Sequence, residues 1–298
     1  MKNKMITVVF IILFILATAT IIRFKVQRTH LEKSYQEYEK ACYNESETYS
    51  NEFCELVFEN KPEILDTLTF YNQSISSPIF DIFVYFSPLL IMIASVWALS
   101  TEFVSGYIKN YLVRKDYGHY IKRLFKNAYK SIWIIPCIIL FILVLCFVFS
   151  GHFDYSYTLT HSYSTFEEQY LKNPILFMIC YILDKVFISI FFANLALIFM
   201  KKSKNKIVVV LETYLCFLGI EIVNEAIING LFFSKTLGID MGNILNIIDS
   251  YSYNNVFNQF VVLIRNVLYA TCSFLIVLKI YANKEKVIQA SELLKGDD

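Results

Sequence analysis

Ionisable residues inside the long apolar stretches of this 298-residue sequence include Asp184, Lys185, Glu221, Glu225 and Arg265. Glu221 and Glu225 are four residues apart, so an α-helix would place both carboxylates on one face. Such a pair could serve as the acid and base of an enzyme. A lone charge in a bilayer core costs at least about 2.5–3.5 kcal/mol. We therefore expect Lys185 or Arg265 to pair with Glu221 or Glu225, in a network that fixes helix packing, faces a partner subunit or lines a pathway.

Motifs for other chemistry are missing from the sequence. There is no Gly-x-x-x-x-Gly-Lys-Ser/Thr loop for nucleotide phosphates, no His-Glu-x-x-His and no Gly-x-Ser-x-Gly. Two histidines, His152 and His161, share a loop with Asp154, but two loop histidines seldom make a metal site. We expect no catalysis, no metal and no bound cofactor. The net charge of +1 gives no reason to expect a nucleic-acid partner.

The apolar stretches themselves predict membrane-spanning helices. Hydrophobic residues make up 56% of the chain and charged residues 18%, against about 45–50% and about 25% in soluble proteins. A bilayer core needs roughly 20 mostly apolar helical residues. The predicted spans are residues 5–22, 79–99, 132–149, 175–200, 207–233 and 257–281. We expect an all-α integral membrane protein that forms a single transmembrane domain, 1–298.

The lysines and arginines between the spans predict the orientation of the helices. Loop 100–131 carries seven of them and loop 201–206 carries four, whereas 150–173 and 234–256 carry one each. Because positive loops stay in the cytoplasm, both termini are expected inside, in a multi-pass membrane protein. A second interpretation of span one is a signal peptide cleaved near Ala17-Thr18-Ala19; we favour an uncleaved anchor.

Two connecting segments have a predicted structure of their own. In the external segment 23–78, the spacing of Leu31, Tyr35 and Tyr38 predicts a helical extension of span one into a small cap. Cys42 and Cys54 in this segment could form a disulfide or remain free. Segment 234–256 is too apolar for a free loop and predicts a short interfacial or re-entrant helix.

The basic loop 100–131 contains a short amphipathic pattern. Tyr107, Ile108, Tyr111 and Leu112 recur at helical spacing beside Lys109. This pattern predicts a helix at the inner membrane surface. Its charges could serve only to hold the loop inside and contact anionic lipid, or the helix could dock a cytoplasmic partner, and the residues favour neither.

This loop resembles a family signature. The matching positions are Glu102, Gly106, Ile108, Lys109, Asn110 and Leu112. Together with the six-span layout, they resemble the ABC-2 type permeases of bacterial ABC exporters. In that family the element after span two begins a cytoplasmic coupling helix. The resemblance implies that the residues coupling this chain to an ATPase are Glu102, Gly106, Tyr107, Ile108, Lys109 and Asn110.

The resemblance also implies partners and an activity. The chain would be the permease subunit of an exporter for a peptide, drug or lipid-like substrate, paired with a second copy or a sister permease. A separate cytoplasmic ATPase subunit would bind ATP and Mg²⁺. The alternatives are an intramembrane enzyme, or a membrane receptor or scaffold, that uses Lys185, Glu221, Glu225 and Arg265; a receptor could also bind its ligand with segment 23–78.

Overall fold

The computed structural model describes residues 4–43, 51–59, 67–75, 77–151, 174–239, 241–247 and 259–295. Within these ranges the chain is helical and contains no β-strand. The helices are α1 (Lys4–Tyr43), α2 (Asn51–Glu59), α3 (Thr67–Ile75), α4 (Pro78–Val104), α5 (Tyr107–Leu112), α6 (Tyr117–Ala128), α7 (Ile134–Ser150), α8 (Pro174–Phe199), α9 (Lys206–Ile222), a π-helix (Val223–Leu237), α10 (Gly242–Leu245), α11 (Gln259–Tyr281) and α12 (Lys284–Lys295).

Six helices of the described chain are long and apolar enough to cross a membrane, which confirms the predicted number of spans. They are Lys4–Tyr43, Pro78–Val104, Tyr117–Ser150, Met178–Phe199, Lys206–Leu237 and Phe260–Tyr281. The structure therefore has the form of a multi-pass membrane protein. Which side of the membrane each end faces remains a prediction from the charges.

The first helix is much longer than a span requires. α1 has 40 residues, or about 60 Å, whereas the apolar core of a bilayer is about 30 Å thick. Its first half packs into the bundle through Val9, Leu13 and Ala17. Its second half extends beyond the bundle, which confirms the helical extension expected from the spacing of Leu31, Tyr35 and Tyr38.

The two short helices after α1 pack differently. α2 is joined to the end of α1 by the Cys42–Cys54 disulfide. α3 packs into the bundle: Tyr71 is fully buried and its hydroxyl donates to the Tyr181 hydroxyl at 3.2 Å. Segment 23–78 is therefore more than a cap, because its last helix completes the core at this end of α7 and α8.

The centre of the bundle is the contact between α8 and α11, which polar side chains hold together. The Asn194 amide donates to the Ala270 carbonyl at 3.2 Å and to the Ser273 hydroxyl at 3.0 Å. The Tyr129 hydroxyl donates to the Asn194 side-chain oxygen at 2.7 Å. Because Asn194 and Ser273 are buried, each needs these partners to avoid an unsatisfied polar group in an apolar surrounding.

Span five changes its winding halfway. α9 ends at Ile222, and residues Val223–Leu237 continue as a π-helix, which has i→i+5 hydrogen bonds. Gly238, with φ 67°, ends it in the left-handed region. Of the interfacial helix predicted in 234–256, the structure describes the four-residue α10; residues 248–258 lie outside the described ranges.

The role of Asn194 can be tested by substitution. We expect Asn194→Ala to lower the free energy of unfolding by about 1–2 kcal/mol, because hydrogen bonds inside membrane proteins contribute roughly 0.6 kcal/mol each. Unfolding by sodium dodecyl sulfate in mixed micelles measures this. The control is Leu215→Ala on the lipid-facing side, where the side chain is 65% exposed; an equal loss in both variants would contradict the role of Asn194.

Candidate functional site

A glycine separates the second span from the short helix α5. Gly106 has φ 70°, a conformation that costs other L-residues roughly 1–2 kcal/mol. Its N–H donates to the Phe103 carbonyl at 3.3 Å, and its own carbonyl accepts from the Lys109 N–H at 3.2 Å. The chain therefore turns sharply at Gly106, and α5 starts in a new direction at Tyr107.

An arginine from α6 connects the predicted coupling residues to span three. The Arg123 guanidinium donates to the Glu102 carboxylate and to the Tyr107 hydroxyl, both at 2.9 Å. It also lies over the rings of Tyr107 and Tyr111, 5.0 and 5.3 Å from their centres. Glu102 and Tyr107 thus share one partner. From the sequence, Arg123 was only one of the seven positive charges of loop 100–131. Its contacts could not be predicted, because it stands 21 residues from Glu102 and 16 residues from Tyr107.

The C-terminal helix α12 returns to contact the same region. The Ser291 hydroxyl donates at 2.6 Å to the Phe103 carbonyl near the end of α4, which also accepts from the Gly106 N–H. Glu292 forms an ion pair with Lys109, and Val287 is buried against the bundle. α12 was not predicted from the sequence, although Val287 and Ser291 stand four residues apart and mark one buried face.

The remaining predicted coupling residues divide into a buried and an exposed set. Ile108 is buried and anchors α5 to the bundle. Asn110 is exposed, and so is the turn after α5, where Val113 is 86% exposed. Leu293, next to Glu292, is 75% exposed. The exposed residues of α5 and α12 therefore form an edge, with both apolar and polar side chains, that a partner protein could contact.

Both basic loops lie at this end of the bundle. The Tyr117 hydroxyl donates to the Tyr281 carbonyl at 2.6 Å, and the Lys201 ammonium donates to the Ile280 carbonyl at 3.3 Å. Partial burial and the nearby Lys286 lower the pKa of Lys201. The contacts bring loops 100–131 and 201–206 to the end of α11, from which the chain continues into α12, as expected if all three lie on the cytoplasmic side.

The turn into α6 is capped by an exposed acid. The Asp116 carboxylate accepts from the His119 N–H at 2.9 Å and contacts the His119 ring nitrogen at 2.5 Å. These hydrogen bonds from His119 lower the pKa of Asp116. A charged Asp116 suits the first turn of a helix, where the dipole favours an anion, and it fixes where α6 begins.

Three of the five predicted intramembrane charges, Asp184, Lys185 and Arg265, form a buried cluster between α8 and α11. Lys185 pairs with Asp184 at 2.9 Å, and its ammonium lies 4.3 Å from the centre of the Tyr181 ring. The Asn266 amide donates to the other Asp184 oxygen and accepts from Arg265 at 3.0 Å. Lys185 therefore pairs with Asp184, the acid that our pairing prediction left out; the two are chain neighbours and both are buried.

Glu221 and Arg265 bind backbone groups beyond α10. The Glu221 carboxylate accepts from the Ile247 N–H at 2.9 Å, and Arg265 donates to the Asn246 carbonyl at 2.7 Å. The Asn224 amide donates to the Leu245 carbonyl at 3.2 Å. Spans five and six thus hold residues 245–247, whose backbone groups are no longer paired within a helix.

Glu225 does not join this arrangement as the sequence suggested. It is half-buried, and within the described chain its carboxylate has no hydrogen-bond or ion-pair partner. The π-helix begins at Val223, between the two glutamates. Glu221 is buried, whereas Glu225 is only half-buried.

The described residues contain no cluster of side chains suited to a metal ion. No cluster of three or more histidine, cysteine, aspartate or glutamate side chains occurs there. His152, Asp154 and His161 lie outside the described ranges. Cys42 and Cys54 are bonded to each other, with Cα atoms 5.6 Å apart, so they are not free ligands.

The contribution of the buried pair Asp184–Lys185 to stability can be tested by substitution. Lys185→Met leaves Asp184 without its cation and should lower the free energy of unfolding by about 3–5 kcal/mol. Adding Asp184→Asn should recover most of that loss, because the buried charge is removed with its partner. Unfolding in mixed micelles measures both, with Leu183→Met as the neighbouring control. A double variant as unstable as the single one would show that the pair is not what stabilises this site.

Comparison with protein-family models, with curated proteins and with solved structures finds no match for this chain. Similarity therefore assigns no family to it. The likeness to ABC-2 type permeases rests on the residues from Glu102 to Leu112 and on the six-span layout. What the site does has to be inferred from its geometry.

Proposed function

We propose that this chain is the transmembrane permease subunit of an ATP-driven ABC exporter, with α5 as its coupling helix. The observation that carries the proposal is the turn at Gly106, which presents a short helix at the end of the bundle where the basic loops meet. Ile108 anchors that helix, while Lys109 and Asn110 lie on its exposed side. A helix held in this way can receive a force from a cytoplasmic partner.

The contacts of α5 supply routes by which such a force would reach the spans. Arg123 joins Tyr107 to Glu102 and thereby to the helix that leads into span three. Glu292 joins α12 to α5, and Ser291 joins α12 to the end of α4. α12 in turn follows span six. A displacement of α5 would therefore act on spans two, three and six together.

The partners follow from this role. The chain has no nucleotide-binding motif, so ATP and Mg²⁺ would bind to a separate ATPase subunit below α5. A second copy or a sister permease would complete the transport path in a bacterial cell membrane. The cargo would be a peptide, a drug or a lipid-like molecule. The permease itself would catalyse no reaction.

The buried acids give little support to the alternative of an intramembrane enzyme. The Glu221 carboxylate is occupied by the Ile247 N–H. Asp184 is bonded to both Lys185 and Asn266. Groups whose lone pairs are taken up by the protein suit a structural network better than proton transfer to a substrate.

Co-purification tests the proposal. Gently solubilised, tagged protein should retain an ATPase subunit with Walker motifs, and Gly106→Val combined with Lys109→Ala should reduce the retained ATPase at least about tenfold. The valine would be strained at φ 70° and would redirect α5. The matched control is Gly118→Ala in α6, where a Cβ meets nothing nearer than Asp116 at 4.0 Å. Absence of any ATPase in several mild detergents would overturn the proposal.

The ion pair between α5 and α12 can be tested by reversing its charges. Lys109→Glu should weaken ATPase association or ATP-dependent transport, because it places two acids side by side. Glu292→Lys added to it restores an opposite-charge pair and should recover part of the loss. Since both side chains are about half exposed, we expect an effect of about 0.2–1 kcal/mol. Failure of the second change to rescue the first would mean that Lys109 acts without Glu292.

A further inference from the structure

Span three has one face that the other described helices leave uncovered along its whole length. In the apolar part of the span, exposed side chains recur three or four residues apart, which is the spacing of one helix face. These residues, which we call the apolar ridge, are Trp133, Cys137, Leu140, Val144 and Val148. Trp133 is 58% and Val148 64% exposed. The apolar ridge therefore faces the acyl chains of the surrounding lipid.

The same outward face continues into α6, where its residues are lysines. A 3₁₀ turn, Tyr129–Ser131, joins α6 to α7, and the exposed positions keep their spacing of three and four residues across it. They form what we call the lysine ridge: Lys130, Lys126 and Lys122. The opposite face of α6 is buried against the bundle at Leu124 and Ala128. The lysine ridge is therefore a direct extension of the lipid-facing side of span three.

The lysine ridge lies at the depth of the lipid headgroups. Lys130 stands about 30 Å along the helix from Ser150, the last residue of α7, and the apolar core of a bilayer is about 30 Å thick. Lys126 is about 6 Å and Lys122 about 12 Å farther out, while the headgroup layer is about 5–8 Å thick on each side. An exposed tryptophan such as Trp133 is typical of the boundary between the two layers. Lys130 and Lys126 are thus level with the phosphates, and Lys122 stands just beyond them.

Little negative charge offsets the lysine ridge. The sequence has no aspartate or glutamate from Tyr117 to Ser150. The Lys130 ammonium donates to the Asn127 side-chain oxygen at 2.9 Å, a neutral partner that leaves its charge and two further N–H groups available. Asp116 lies close enough to attract Lys122, but it precedes α6 and is farther from the bilayer than all three lysines. The positive charge at phosphate depth is therefore open to an anion.

We propose that the lysine ridge and the apolar ridge together bind an anionic phospholipid of the leaflet at this end of the bundle. The anionic headgroup would pair with Lys126 and Lys130, while Lys122 would attract it from slightly farther away. The acyl chains would lie along Leu140 and Val144. A zwitterionic lipid would match the apolar ridge equally well, but its own headgroup cation would be repelled by the lysines. Holding the loop inside the cell requires positive charge anywhere in the loop, whereas the ridge places it on the lipid-facing side.

The bound lipid would also act on the helix that supports α5. Arg123 on the bundle side of α6 holds both Glu102 and Tyr107, and a lipid on the outer side would hold the same helix from without. Loss of the lipid would then loosen the support of α5. This consequence rests on the proposed exporter function, whereas the binding of the lipid does not.

Quenching of tryptophan fluorescence by brominated lipid tests the proposal. The sequence contains two tryptophans, so Trp97→Phe leaves Trp133, where the two ridges meet, as the only reporter. The full-length protein is placed in nanodiscs with equal amounts of phosphatidylglycerol and phosphatidylcholine, and either lipid carries bromine near the start of its acyl chains. We expect phosphatidylglycerol to occupy the site at least about fivefold more often, because basic side chains near the membrane surface attract anionic lipid. This preference should decrease at high salt.

Two variants of the lysine ridge show whether its charge is the cause. Lys122→Gln, Lys126→Gln and Lys130→Gln combined should make the occupancies of the two lipids nearly equal. The same three residues changed to arginine keep the charge and should keep the preference. The matched control removes three exposed lysines elsewhere at this end of the bundle, through Lys202→Gln, Lys284→Gln and Lys286→Gln. This control should also keep the preference, because those charges do not lie on the ridge.

Three results would overturn the lipid site. They are equal occupancy by the two lipids with the ridge intact, a preference that survives the three glutamines, and a Trp133 that neither lipid quenches. The last result would mean that another protein covers this face. None of these measurements involves an ATPase, so the lipid site can fail while an ATPase co-purifies, and it can stand while the exporter proposal fails.

Discussion

The contact between α8 and α11 is the interaction on which the rest of this bundle depends. Inside a bilayer no water is available to satisfy polar groups, so each must find a partner within the protein. Asp184, Lys185 and Asn266 do so near one end of this contact, and Asn194 and Ser273 do so farther along it. Near the other end, the Tyr281 hydroxyl donates to the Leu197 carbonyl at 3.0 Å. This polar column fixes the register of spans four and six, since sliding one helix would break bonds at several levels.

Each end of that column controls a neighbouring segment. At one end, Arg265 extends from α11 to the Asn246 carbonyl, and Glu221 of span five takes the Ile247 N–H. The chain between spans five and six is thereby held against the bundle. At the other end, Tyr281 directs the chain into α12, which returns beneath α4 and α5. The position of the proposed coupling helix thus depends on contacts made by span six.

The two ends of the molecule are built differently. The end with the basic loops presents α5 and α12 as a compact edge tied to spans two, three and six, which is the form expected of a surface that receives force. The opposite end extends α1 well past the apolar part of span one and fixes α2 to it covalently. The buried charges lie between these two ends as part of the rigid structure of the bundle.

The sequence by itself determined the number of spans, the helical extension of α1 and the amphipathic pattern at Ile108 and Lys109. These properties are local: apolar length and helical spacing follow from residues close together in the chain. Only the tertiary structure decided that Arg123 joins Glu102 to Tyr107, that Ser291 caps the end of α4 and that Asn266 binds Asp184. It also decided that span five continues beyond Ile222 as a π-helix. Such pairings bring together side chains from different helices, or depend on how a helix is wound, and local patterns carry no information about either.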